Sequence, residues 1–153
     1  MPEGKITTAN LLKRLFKTGN IVRFIRNHEA EMRGVPFRDH LARLCEEKNK
    51  VPNQVISRSG IDRTYGHQLF NGRRKPSRDK VLQLAFGFEL TYEEAQDLLK
   101  SAGESPLYPR IQRDAVIIFA LIRGLDVDDV QATLLELSLP LFKKDEKSVQ
   151  VLR

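Results

Sequence analysis

Residues 60–79 (GIDRTYGHQLFNGRRKPSRD) constrain the fold of this chain more than any other stretch. Gly60 can end a short helix over residues 52–59, because the left-handed conformation costs little for a residue without Cβ. Asp62 can cap a second short helix over residues 63–71, since its carboxylate can accept from the first backbone N–H groups of that helix. The stretch therefore predicts two short helices joined by a tight turn.

The second helix has a polar outer face, and a basic segment follows it. Its apolar anchor is Leu69, with Tyr65 and Phe70 beside it. The residues expected to face outward are Arg63, Thr64, His67 and Gln68. Arginine, threonine and glutamine can form hydrogen bonds with base edges in a major groove. The positive charges that follow, which suit phosphate groups, are Arg73, Arg74, Lys75, Arg78 and Lys80.

Each of these features alone has a simpler explanation. A basic run is more often a solvated surface than a binding site, and a short polar helix indicates little by itself. Their combination, with a loop stiffened by Pro76 and a new helix cap at Ser77, favours a nucleic-acid contact.

The order of these features resembles the lambda-repressor-like (XRE, Cro-type) helix-turn-helix family over about residues 37–103. The positions that match are Gly60, Ile61, Leu69, Asn71, Gly72, Arg73, Pro76 and Ser77. The resemblance implies a five-helix repressor-like head whose second helix docks in the major groove of double-stranded DNA. It also implies a homodimer that contacts two half-sites, and hence a sequence-specific transcriptional regulator.

Carried over position by position, the resemblance assigns two groups of DNA contacts. The base-contacting group is Arg63, Thr64 and Gln68, with Tyr65 and His67 as helpers. The phosphate-contacting group is Asn53, Gln54, Asn71, Arg73, Arg74, Lys75 and Arg78. Pro52 stands where the family offers a polar phosphate contact, so that contact moves to Asn53, Gln54 or the backbone N–H groups at the helix start.

A second departure from the family pattern is a pair of positions. The family packs a small residue of the first helix against a large aliphatic residue of the second. Here the corresponding residues are Ile56 and Gly66, so large and small are exchanged and the volume is roughly conserved. The exchange predicts that these two residues meet where the helices cross.

The rest of the chain has helical periodicity, which predicts an all-α fold. Two N-terminal helices, from Thr8 to Lys17 and from Asn20 to about Met32, are added to the head. The predicted segments are an N-terminal helical extension (1–35), a helix-turn-helix DNA-binding domain (36–104), a C-terminal helical hairpin (105–142) and a flexible tail (143–153).

A repeat links the last two helical hairpins. A shift of 35 residues aligns Arg78, Asp79, Val81, Ala85, Leu90, Gln96 and Leu99 with the identical Arg113, Asp114, Val116, Ala120, Leu125, Gln131 and Leu134. This predicts a second hairpin, over residues 111–123 and 126–137, stacked on the first as solenoid units stack. Its first helix is apolar nearly all round, so we expect the hairpin to contact a second subunit or another protein.

The net charge of +6 is unevenly distributed. Residues 33–80 carry 12 basic and 5 acidic residues, whereas residues 81–153 carry 8 and 12. This division suggests a DNA-binding face and a separate partner face. An alternative function is a protein-interaction adaptor, antitoxin-like or a phage-defence partner, that uses the helical repeats.

Other classes of function have little support in the sequence. The three histidines (His28, His40, His67) lack metal-site spacing, and neither a phosphate-binding glycine loop nor a nucleophile motif is present. We therefore expect no enzyme, cofactor or metal. The single Cys45 permits no internal disulfide, which fits a reducing compartment. No signal peptide or membrane-spanning apolar run appears, so we expect a soluble cytoplasmic protein without a membrane partner.

Overall fold

The structure is a computed structural model that describes residues 6–32 and 34–144. Over these residues it is all-helical and contains no β-strand, which confirms the predicted class of secondary structure. No helix in these residues has the length and hydrophobicity needed to cross a lipid bilayer. The chain divides into two compact units, Met1–Val35 and Pro36–Arg153. Of the predicted tail, residues 145–153 lie outside the described residues.

The first unit contains three short helices. They are α1 (Thr8–Lys17), α2 (Ile21–Asn27) and α3 (Glu29–Met32). The sequence predicts one continuous helix from Asn20 to about Met32, but the helix is interrupted at His28. The ring of His28 stacks on Phe24 and its Nδ1 donates to the Phe24 carbonyl oxygen (2.9 Å), so the side chain competes for a backbone acceptor of the helix.

The second unit is built around one buried helix. Its helices are α4 (Phe37–Glu47), α5 (Pro52–Ser59), α6 (Arg63–Phe70), α7 (Arg78–Gly87), α8 (Tyr92–Ser101), α9 (Gln112–Arg123) and α10 (Val127–Glu136). In α7 every residue from Lys80 to Gly87 is buried. A Cβ at Gly87 would run into Oγ of Ser59 and lie 2.5 Å from the carbonyl oxygen of Val55. Helix α5 therefore crosses α7 at a distance that only glycine permits.

The two hairpins that the 35-residue repeat relates make matching hydrogen bonds. In the first hairpin (α7, α8 and the chain to Leu107), Gln96 accepts from Leu107 N (2.8 Å) and donates to Leu107 O (3.1 Å). In the second hairpin (α9, α10 and the chain to Phe142), Gln131 makes the same two bonds with Phe142, at 2.8 and 3.0 Å. Capping boxes also begin both α8 and α10. The two hairpins thus share their local structure.

The arrangement of the two hairpins differs from the predicted solenoid stacking. Arg78 donates to both carboxylate oxygens of Asp114 (3.1 and 2.9 Å), and Arg113 donates to both oxygens of Asp79 (2.8 and 3.0 Å). Stacking by translation would turn one of the two repeated Arg–Asp pairs away from the neighbouring hairpin. Reciprocal contacts instead require a twofold relation. The hairpins therefore form a pseudo-twofold pair, and the solenoid prediction is wrong.

The two ion pairs of this hairpin pair should differ in their effect on stability. Asp114 is 1% exposed and also accepts from Tyr108 N (3.0 Å), whereas the side chain of Asp79 is 31% exposed. We expect Asp114→Asn to lower the free energy of unfolding by about 3–5 kcal/mol, because it breaks an ion pair at a buried carboxylate that also accepts from the backbone of Tyr108. Asp79→Asn should lower it by about 1 kcal/mol or less. Denaturant unfolding measures the free energy of unfolding of both variants. Equal losses would contradict the predicted difference between the two ion pairs.

Candidate nucleic-acid interface

The α5–α6 pair has the local structure that the sequence predicts. Gly60 ends α5 with φ of +70°, and the Asp62 carboxylate accepts from Tyr65 N (3.1 Å) to begin α6. Ile61 in the turn and Leu69 in α6 are both buried in the core of the second unit. These anchors turn the opposite side of α6 toward solvent.

The close contact predicted between Ile56 and Gly66 is present. A Cβ added to Gly66 would lie 2.6 Å from Cγ2 of Ile56, well inside van der Waals contact. Gly66 and Leu69 are the two buried residues of α6, and both lie on its inward face. The contact therefore fixes the rotation of α6 about its own axis and determines which side chains point outward.

The predicted base-contacting residues lie on α6 with different degrees of burial, and Tyr65 packs partly against the core. Arg63 and Thr64 are exposed, whereas Tyr65, His67 and Gln68 are half-buried. Arg63 and Asn53 line the same open depression of about 450 Å³ between α5 and the start of α6. Nε2 of His67 donates to Oδ1 of Asn53 (2.8 Å), so His67 positions a neighbouring polar side chain.

Gln68 belongs to a small cluster with Arg74 and Tyr65. Nε of Arg74 donates to Oε1 of Gln68 (3.0 Å), and the guanidinium carbon lies 4.5 Å from the centre of the Tyr65 ring. The backbone N–H of Arg74 also donates to the Gln68 carbonyl (3.2 Å). These contacts orient the carboxamide of Gln68. Its NH2 group takes no part in the bond to Arg74, which uses Oε1.

The loop between α6 and α7 is held by its own polar groups. Oδ1 of Asn71 accepts from Arg73 N (2.9 Å), and Gly72 has φ of +82°. A Cβ at Gly72 would lie 2.8 Å from Cδ of Arg38, which belongs to the first turn of α4. The Arg38 side chain thus lies beside the loop, where Asp39 partly compensates its charge (Nε to Oδ1, 3.7 Å). Nothing in the sequence around Arg38 connects it with this loop, so its position is not predictable from local sequence.

Two predicted phosphate contacts have other roles within the fold. The guanidinium of Arg78 binds Asp114 and the carbonyl oxygens of Ser105 and Pro106 (both 3.0 Å). It is part of the hairpin pair, so we correct its assignment and leave it out of the interface. Oε1 of Gln54 accepts from Val51 N (3.3 Å), so this side chain caps α5 through its carbonyl oxygen.

Three of the remaining basic residues, Arg63, Arg73 and Lys75, form a surface without acidic partners among the described residues. The sequence contains no acidic residue between Asp62 and Asp79. Within the part of the chain that the structure describes, no ion pair involves Arg63, Arg73 or Lys75, and all three are exposed. By contrast Arg58, on α5, bonds to Glu89, whose pKa is lowered chiefly by a hydrogen bond from Lys50. Positive charge therefore concentrates on the outer side of α6 and its loop.

Two side chains that could support other chemistry, His40 and Cys45, are buried or half-buried. His40 is buried against Ser101, with Nδ1 2.9 Å from Oγ, and burial lowers its pKa. Burial likewise raises the pKa of the half-buried Cys45 thiol. The described residues contain no group of three or more side chains that could hold a metal ion.

No protein-family model, curated protein or solved structure matches the chain.

The contact between Ile56 and Gly66 can be tested by a double-mutant cycle. Gly66→Ile should lower the free energy of unfolding by about 1–3 kcal/mol through overpacking, and Ile56→Ala by about 2–5 kcal/mol through a cavity. The double mutant should recover much of the loss, because the two changes exchange large and small. Denaturant unfolding of the four proteins measures this coupling. Strictly additive losses would show that the α6 face is misassigned.

Proposed function

We propose that this protein is a sequence-specific double-stranded DNA-binding transcriptional regulator, in which α5 and α6 act as a lambda-repressor-like helix-turn-helix. The observation that carries the proposal is the uncompensated positive surface around a polar, outward-facing helix. Arg63, Arg73 and Lys75 are exposed without an ion pair among the described residues. Duplex DNA is the partner that a basic surface beside a groove-sized helix fits best.

In this proposal α6 lies in the major groove. Arg63, Thr64 and Gln68 contact base edges, with arginine suited to guanine and glutamine to adenine. Tyr65 and His67 act indirectly, since Tyr65 stacks with Arg74 and His67 binds Asn53. The side chains thus divide into those that specify the sequence and those that hold them in place.

Phosphates on either side of the groove are held by the start of α5 and by the loop after α6. The side chains proposed for this role are Asn53, Asn71, Arg73, Arg74 and Lys75, together with Arg38, which lies beside Gly72 of the loop. Such contacts position α6 without regard to sequence. Because Oε1 of Gln54 caps α5, this side chain can donate to a phosphate only through its NH2 group.

The alternative function, a protein-interaction adaptor, is supported by a different part of the chain. Helix α9 exposes Phe119 and Ile122, which are 53% and 67% accessible. Exposed apolar side chains of this size indicate a partner. Because α9 lies outside the basic surface, a partner there is compatible with DNA binding by α6.

The dependence of DNA affinity on salt tests the proposal. The logarithm of affinity should fall with the logarithm of salt concentration, with a slope of about −0.9 for each phosphate neutralised. Arg73→Ala should flatten this slope by about one unit. Arg58→Ala is the matched control, because Arg58 is bonded to Glu89 (2.6 Å), and should leave the slope unchanged. Absence of duplex binding at about 50 mM salt would refute the proposal.

The cluster of Gln68 and Arg74 predicts a separate effect on sequence preference. Arg74→Ala releases the Gln68 carboxamide, so the variant should relax the preference at one base position by about 1–3 kcal/mol. Lys75→Ala removes the same charge from the same loop but should weaken binding to all sequences equally. Selection from a random duplex pool compares the two. If both variants retain the wild-type consensus, Arg74 contacts phosphate alone.

A further inference from the structure

An apolar groove runs between α9 and α10 on the outer side of the second hairpin. It encloses about 270 Å³ and is lined mostly by apolar side chains, including Val116, Phe119 and Val130. Asp129 lines the groove on its α10 side, and Phe119 lines it on its α9 side. We call this feature the outer groove.

The repeat identifies what the same surface does in the first hairpin. The counterparts of Val116, Phe119 and Thr133 are Val81, Leu84 and Leu98, which are completely buried. They are covered because α5 packs on α7 and α4 packs on α8. The same face of the repeat is thus an interface in one hairpin and an open groove in the other.

Helices α4 and α5, which cover this face in the first hairpin, would not fit the outer groove. In the first hairpin α5 approaches closely at Gly87, and Gln83 donates to the Ser59 carbonyl (3.0 Å). The counterparts of Gly87 and Gln83 in α9 are Ile122 and Ile118. The side chain of Ile122 is too large for a helix to cross as closely as α5 crosses α7, and Ile118 cannot form the hydrogen bond that Gln83 makes. The occupant has to offer apolar side chains at a wider spacing.

We infer that a second copy of this chain covers the outer groove through the same face, about a twofold axis. The argument is complementarity of charge. The guanidinium of Arg123 lies 4.9 Å from the centre of the Phe119 ring, on the α9 side, and Asp129 lies on the α10 side. A twofold contact brings Arg123 of each copy to Asp129 of the other while both Phe119 rings are covered.

The chain already uses this kind of contact internally. Arg78 and Asp79 pair with Asp114 and Arg113 in a reciprocal manner across the pseudo-twofold. Self-association through the outer groove does not rest on the proposed DNA binding, since none of its residues lies on the basic surface. If both hold, the dimer carries two heads on one particle, as two half-sites require.

Sedimentation of the full-length protein tests the inference. We expect a dimer at micromolar concentration, and a monomer for Phe119→Asp, which places a charge in the groove. Leu135→Asp is the matched control, because Leu135 is 68% exposed on α10 but does not line the groove, and it should remain dimeric. Unchanged circular dichroism shows that each variant is folded. A monomeric wild type or a dimeric Phe119→Asp variant would overturn the inference.

An exchange of charges tests the twofold geometry itself. Arg123→Glu and Asp129→Arg should each weaken self-association, because each creates two like-charge contacts in a homodimer. Asp129→Arg also opens the capping box of α10, so circular dichroism has to show that this variant is folded. A mixture of the two variants restores both opposite-charge contacts, so heterodimers should form with close to the wild-type affinity. Homodimers that form as well as the wild type, or a mixture that stays monomeric, would show that Arg123 and Asp129 do not meet across a twofold axis.

Discussion

The burial of α7 is the constraint on which the rest of the second unit depends. Its last residue, Gly87, lets α5 cross within contact of the backbone, and its first turn supplies Arg78 and Asp79 to the second hairpin. One helix therefore fixes both the position of α5 and the pseudo-twofold pair. Because Lys80 to Gly87 are all buried, α7 has little freedom to move or rotate without disturbing every neighbour.

The position of α7 also determines the orientation of the proposed DNA-binding surface, through two contacts. With α5 fixed against α7, Ile56 determines the rotation of α6 by its contact with Gly66. The basic loop then spans two anchored helices and is held by Asn71 and by the bond of Arg74 to Gln68. Polar side chains on such a rigid support lose little freedom when a ligand binds, and this preorganisation favours specific recognition.

The sequence predicts local features of the fold well. Gly60 and Asp62 mark a turn and a cap because their effects act within a few residues, and the Ile56–Gly66 exchange is visible because two positions compensate. The role of Arg78 is not visible, since its partner Asp114 is brought near only by the tertiary fold. Likewise, identities at a spacing of 35 residues reveal two similar hairpins but not the twofold relation between them. The position of Arg38 beside Gly72 is likewise not visible in the sequence, since only the tertiary fold brings them together.

In the proposed function, α6, its loop and the start of α5 form a surface for duplex DNA. An NMR titration of the full-length protein with a duplex tests it most directly, because backbone amide shifts report the location of the contact. We expect perturbations at Arg38, at Asn53 and over residues 62–75, with little change in α9 and α10. Perturbations confined to α9 and α10, or none at saturating duplex, would contradict it.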